Sequence, residues 1–243
     1  MRRTFSSTAL CFLLSVSAFG QSNSNDPAVG ANGASSVAAA SHDLGSKTLR
    51  WETGVYAATG FAIANQVSER FERYDLQLRL YTAGITVGRQ LTGPHGRGMK
   101  RGDLEYLAEL EPFWLGRFPN QTLHVTITGE PLPVTQQFKA ENFPGIAFSP
   151  LLLRYNFTRG ARVHPWAQLG GGLLWTDHKF PAVETSVINF RPELAIGTHL
   201  FTGPRQSVTL GVRAVHISNA NLGDHNPGVN VSLMFRVGYT WWH

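Results

Sequence analysis

Residues 229–241 read VNVSLMFRVGYTW. Val229, Val231, Leu233, Phe235, Val237, Tyr239 and Trp241 alternate with Asn230, Ser232, Met234, Arg236, Gly238 and Thr240. A period of two marks a β-strand whose two faces see different surroundings, because successive side chains point to opposite sides of a sheet. Residues 208–214 repeat the pattern, with Val208, Leu210, Val212 and Ala214 interleaved with Thr209, Gly211 and Arg213. Read backwards along the chain, the same period predicts strands near 49–60, 74–90, 101–116, 144–158, 162–176 and 186–201. With 207–218 and 229–242 that makes eight, an even number, and the fold class is all-β, an eight-stranded antiparallel barrel.

Composition narrows the alternatives. The chain has 243 residues, of which 15% are charged and 42% hydrophobic, against about 25% charged in an average soluble domain. That excludes a disordered chain. No apolar run approaches the ~18 residues of a membrane helix, which excludes a helical membrane protein. A single cysteine excludes a disulfide framework and a Cys-rich zinc site. Residues 1–20 read as a secretory signal peptide. Arg2 and Arg3 are the basic start, Ala9 to Val16 the apolar core, and Ala18-Phe19-Gly20 the small-residue end, with cleavage before Gln21. Its removal takes away Cys11 and two arginines, so the net charge falls from +5 to +3. A nucleic-acid partner loses its support accordingly. Residues 21–47, rich in Ser, Ala, Gly and Asn, read as a flexible leader, and 48–243 as the barrel domain.

Alternation alone does not separate a soluble barrel from a membrane barrel. Three features favour lipid outside, and so an all-β, eight-stranded antiparallel transmembrane β-barrel. The polar face carries both signs of charge, at Asp75, Arg79, Glu105, Glu109, Glu111, Arg154, Arg191, Glu193, Arg213 and Arg236, which suits a paired network in a narrow interior. Trp51, Tyr74, Trp114, Trp175, Tyr239 and Trp241 sit on the apolar face near strand ends, as interfacial girdles do. Connections mostly alternate short (158–161, 202–206) and long (61–72, 117–143, 177–186, 219–228), with 91–100 as the exception. A soluble-ligand carrier would instead need an apolar interior.

The far end of the seventh strand reads AVHISNA over 214–220. His216 and Ser218 share a face by parity, the face of Val208, Leu210, Val212 and Ala214. A His and a Ser at the top of a lipid-facing row suit a nucleophile and base that attack an ester of an embedded lipid. Ser218 and Asn219 are equally good strand-end and turn residues. A metal reading of His216, Asp224 and His225 lacks regular ligand spacing.

These residues carry a resemblance. His216-Ile217-Ser218-Asn219-Ala220, followed by Asn226-Pro227-Gly228-Val229-Asn230, resembles the lipid A 3-O-deacylase (PagL) family, also called acyloxyacyl hydrolase-like. Residues 149–157 (SPLLLRYNF), 170–173 (GGGL) and Asn189-Phe190 add to it, and the likeness spans roughly 49–242. The resemblance implies an outer-membrane barrel that removes the ester-linked 3-O-acyl chain of lipid A, without a cofactor or metal. It makes Ser218 the nucleophile and His216 the general base, with Asn219, Asn226 or nearby N–H groups supporting the oxyanion. Its partners are lipopolysaccharide in the outer leaflet and the outer membrane, with no nucleic acid; a homodimer is compatible.

The family places a glutamate twelve positions after the serine, where this chain has Asn230. An amide can orient an imidazole but does not stabilise the imidazolium as a carboxylate does; in a serine protease the comparable change costs about 10⁴ in rate. Strict parity also puts Asn230 on the interior face, away from His216, unless a bulge intervenes. Asp224 is the alternative acid. The rival readings are a barrel that keeps the scaffold without turnover, as a structural or lipid-binding protein, and a hydrolase for a different lipid ester.

Overall fold

The computed structural model describes residues 49–65, 77–125, 134–157, 162–181, 185–224, 226 and 228–243. The expected signal peptide and leader, together with Tyr74, Asp75 and His225, lie outside the described residues. Ten strands follow in order: β1 Trp51–Asn65, β2 Arg79–Gln90, β3 Gly102–Phe118, β4 Gln121–Val125, β5 Val134–Phe138, β6 Glu141–Phe157, β7 Val163–Phe180, β8 Ser186–Gly203, β9 Gln206–Ile217 and β10 Val229–Trp242. Eight of them close an antiparallel barrel in the order β1-β10-β9-β8-β7-β6-β3-β2. The expected eight-stranded barrel is therefore the observed fold. The long connection between β3 and β6 is not plain loop, because β4 and β5 pair within it as a separate hairpin. The connection over 91–100, too long for a tight turn, prolongs the β2–β3 ladder: His95 and Gly102 exchange main-chain hydrogen bonds of 2.8 and 2.9 Å.

Alternation sorts the side chains as the period requires. The interior holds Glu52, Asp103, Glu105, Glu109, Glu111 and Glu193 against Arg154, Arg191, Arg213 and Arg236, all buried. Glu111 accepts from Arg191 at 2.9 Å, from Arg213 at 2.5 Å and from the Tyr56 hydroxyl at 2.8 Å. Glu109 pairs with Arg236 and lies 2.9 Å from the same Tyr56 hydroxyl, whose single proton the two carboxylates share. Arg154 pairs with Glu52 at 2.9 Å and stacks its guanidinium over Trp166. Ions this far from water are tolerable only when their partners stand across the lumen, as these do.

Two expectations fail at the loop-bearing end, where β1 finishes and β2 begins. Arg79 is exposed on the outside, not in the interior. There the buried side chains are Leu80 of β2 and Leu78 just before it. These belong to an apolar cluster with Trp114, Phe118, Phe143, Phe180, Ile217 and Met234 that fills this end of the barrel. Polar-inside therefore reverses locally, and Arg79 goes with the outward row. Trp114 is buried in the same cluster, edge-on to Phe180 at 5.3 Å, and is no girdle residue. The register slips between Glu111 and Trp114, where Pro112 and Phe113 are both exposed. Proline has no N–H for the ladder, so a bulge forms and every later residue changes side. Trp51, Trp175 and Trp241 do face outward.

The two sequence stretches 149–157 and 170–173 prove to be one structural device. β6 slips register between Phe148 and Leu151 around Pro150, and Gly170, Gly171 and Gly172 of β7 lie against it. A Cβ on Gly172 would fall 2.1 Å from the Phe148 carbonyl oxygen and 2.4 Å from the Ser149 Cα. Gly170, at φ +153°, would meet the Leu151 carbonyl oxygen at 2.1 Å. These contacts are with main chain, which yields little. Gly172→Ala should cost about 3 kcal/mol of barrel stability by overpacking, seen as a lower urea midpoint; an unchanged midpoint would show that the bulge can move.

Candidate functional site

The interior row of β9 is Ser207, Thr209, Arg213, Val215 and Ile217, all buried. His216, between the last two, is exposed on the outer wall, and Ser218 follows it half-buried on the same side. Ser218 is held through its main chain. Phe190 N–H donates to its carbonyl at 2.7 Å, and its own N–H donates to the Phe190 carbonyl at 3.1 Å. β8 therefore fixes where Ser218 sits without using its hydroxyl. Among the described residues no hydrogen bond joins that hydroxyl to the His216 ring.

β10 decides the far side of the histidine. Val229 pairs with Ile217 but Ser232 pairs with Val215, so β10 carries one extra residue between them. This bulge puts Val229 inside, fully buried, and turns Asn230 outward. Strict alternation would have put Asn230 inside, so the bulge reverses that expectation. The Ser232 hydroxyl donates to the Val215 carbonyl at 3.1 Å, supplying a partner where the ladder is interrupted. The main-chain oxygen of Asn230 then lies 3.0 Å from His216 Nδ1. A carbonyl oxygen only accepts, so Nδ1 carries the proton and Nε2 is left with its lone pair free. That is the tautomer a general base needs.

The remaining site residues build the loop after Ser218. Asn219 is fully buried, its N–H donates to Asn226 Oδ1 at 3.0 Å, and its own Oδ1 accepts from Asn221 N–H at 3.0 Å. Leu222 N–H donates to the Asn219 carbonyl at 3.0 Å, closing a turn whose central residues Ala220 and Asn221 have φ of 49° and 64°. Both signs are positive, as in a type I′ turn, a conformation an alanine adopts only when its surroundings impose it. Asn219 and Asn226 thus organise the loop, and the Asn219 N–H is already engaged. Asp224 is strongly exposed and lies 3.9 Å from Lys179 Nζ. The structure brings together His216, Asn230 and Ser218 on one outward face, and leaves Asp224 with a lysine. Among the described residues no group of three His, Cys, Asp or Glu side chains could hold a metal ion.

The element that sequence reasoning missed is the Asn230 carbonyl. Every residue carries that group, and only the bulge aims it at His216. No side-chain pattern announces it, since Val229, Val231 and Leu233 look like one continuous apolar row.

The family model of lipid A 3-O-deacylase (PagL) matches residues 106–240, more than half of the chain. Among solved structures, the crystal structure of the outer membrane enzyme PagL is 18% identical, over 77% of this chain and 98% of that one, with a TM-score of 0.46. The outer membrane protein OprG from Pseudomonas aeruginosa is 9% identical, over 80% and 95%, with a TM-score of 0.46. The solid-state NMR structure of AlkL in lipid bilayers is 12% identical, over 91% and 96%, with a TM-score of 0.41. No curated protein matches the chain.

Proposed function

Because this chain belongs to the lipid A 3-O-deacylase (PagL) family, we propose that it hydrolyses the 3-O-acyl ester of lipid A in the bacterial outer membrane with Ser218 as nucleophile and His216 as base. The observation that carries the reading is the 3.0 Å contact from His216 Nδ1 to the Asn230 carbonyl, which leaves Nε2 basic on the same outward face as Ser218. Residues two apart on a strand are roughly 7 Å apart at Cα. The ring spans that gap when a substrate ester is seated, as catalytic contacts commonly tighten only then.

Ser218 Oγ attacks the ester carbonyl and its proton passes to His216 Nε2. Collapse of the tetrahedral intermediate returns that proton to the sugar 3-oxygen, which leaves as an alcohol. A water molecule repeats the sequence on the acyl-serine, giving the fatty acid and free Ser218. The acyl chain lies along the outward row of β9. Ala214 is flanked by Leu194 and Leu233, and Val212 by Ile196 and Phe235, so the small Ala214 side chain makes a trough between two leucines. Expression in a bacterium with intact lipid A should release one 3-hydroxyacyl chain, read by mass spectrometry of lipid A. An unchanged lipid A mass rejects the assignment.

The group that orients His216 belongs to the main chain, so the Asn230 side chain is not required. Asn230→Ala should keep activity within about threefold, far from the ~10⁴ cost of disabling a triad acid. Asn230→Glu places a carboxylate on the outward face beside the imidazolium, where an exposed ion pair of ~1 kcal/mol raises the rate about fivefold. Initial rates on purified lipid A decide both; loss of activity in Asn230→Ala would assign the positioning role to the amide instead. A second reading, a lipid-binding barrel without turnover, is favoured by the absence of a Ser218–His216 hydrogen bond among the described residues. The same lipid A assay separates the two.

A further inference from the structure

Away from Ser218, one row of the outer wall has chemistry that the ester reaction does not use. Arg79 of β2 stands directly opposite Arg117 of β3, and Arg117 stands opposite Asn142 of β6. All three are exposed. Phe61 of β1 is the other neighbour of Arg79. Among the described residues none of the three makes an ion pair or a side-chain hydrogen bond. Glu141, the carboxylate next along β6, stands opposite Phe118 and faces His178 at 3.3 Å. The four interior arginines, by contrast, all have carboxylate partners.

Two like charges directly opposite on neighbouring strands, with Cβ atoms roughly 5 Å apart, repel one another. The row keeps them together on the outer wall with no counter-charge from the described residues. An anion seated between them removes the repulsion. Two guanidinium forks and an amide N–H₂ match the oxygens of a phosphate, which offers several acceptors in a compact group. Position argues for the source of that phosphate. Arg79 begins β2, Arg117 is next to last in β3 and Asn142 is second in β6. The row therefore lies at the end of the barrel that also bears Ser218. In a bilayer this is the headgroup level of the wall, with the arginine stems lying along apolar side chains and the charged ends in the polar layer.

We propose that Arg79, Arg117 and Asn142 form a binding site for a phosphate group carried on a lipid headgroup. The assignment rests on the outer-membrane family and not on the Ser218 chemistry. β2 is three strands from β9 around the barrel, about 14 Å at ~4.8 Å per strand, so binding there is measurable without hydrolysis.

The test uses the full chain carrying Ser218→Ala, refolded into phosphatidylcholine bilayers with either bis-phosphorylated lipid A or the same lipid A stripped of phosphate. Lipid retained on the barrel is read by native mass spectrometry. The parent should prefer the phosphorylated lipid by about tenfold, and Arg79→Glu with Arg117→Glu should bring this below about twofold. Arg79→Lys with Arg117→Lys keeps the charge without the fork and should retain about threefold. Heat-modifiable gel mobility verifies that each variant is a closed barrel, and Arg79→Ala alone serves where the double reversal does not fold. Inorganic phosphate at ~10 mM should leave the preference standing, since the acyl chains hold the lipid at the wall. Equal retention of the two lipids by the parent, an unchanged preference in the folded reversal variant, or full displacement by inorganic phosphate would each overturn the proposal.

Discussion

Ser218→Ala should reduce release of the 3-hydroxyacyl chain by at least about 10⁴-fold, and His216→Ala by a similar factor. The two together should be no worse than either alone, because a nucleophile without its base and a base without its nucleophile fail at the same step. The structure makes this a clean comparison. Ser218 is positioned by two main-chain hydrogen bonds to Phe190, which alanine preserves. His216 is exposed on the outer wall and supports no packing inside the barrel. Both variants should therefore fold and insert as the parent does. Mass spectrometry of lipid A from cells making equal amounts of each barrel provides the measurement. More than a tenth of parental release from Ser218→Ala would assign the chemistry elsewhere.

Glu111→Ala should cost about 3–5 kcal/mol of barrel stability. Glu111 is almost completely buried and accepts from Arg191, Arg213 and Tyr56. Without it, Arg191 loses its carboxylate partner, while Arg213 keeps the 3.5 Å contacts to Glu109 and Glu193 and a 3.3 Å hydrogen bond to the Thr82 hydroxyl. The penalty is that of guanidinium charge left inside a narrow lumen with too little to offset it. Asp224→Ala is the matched control. Its carboxylate is exposed and 3.9 Å from Lys179, so its loss should change stability by less than about 0.5 kcal/mol. Equilibrium unfolding in urea reports both, and equal midpoints would show that the interior network is wet enough to rearrange.

Legibility varied from strand to strand for identifiable reasons. Where alternation runs unbroken, as in β9, parity placed Arg213 inside and His216 and Ser218 outside. Where it breaks, parity misled. Pro112 introduces a bulge, and Trp114 turns into the core. Around Arg79 the interior itself becomes apolar, so polarity pointed the wrong way. At Val229–Ser232 an extra residue inverts Asn230. The stretches at 149–157 and 170–173, which carried part of the family resemblance, turn out to be a bulge and the glycines that accommodate it, a matter of fold and not of chemistry.

The sequence by itself determined the eight-stranded barrel, the charged interior and the shared face of His216 and Ser218, because each follows from a period of two repeated over many residues. Only the tertiary structure decided what His216 contacts. That partner is a main-chain oxygen, present at every residue, and a single extra residue in β10 aims it at the ring. The same holds for Arg79 and Arg117. They lie far apart in the chain, and nothing but the strand register sets them face to face.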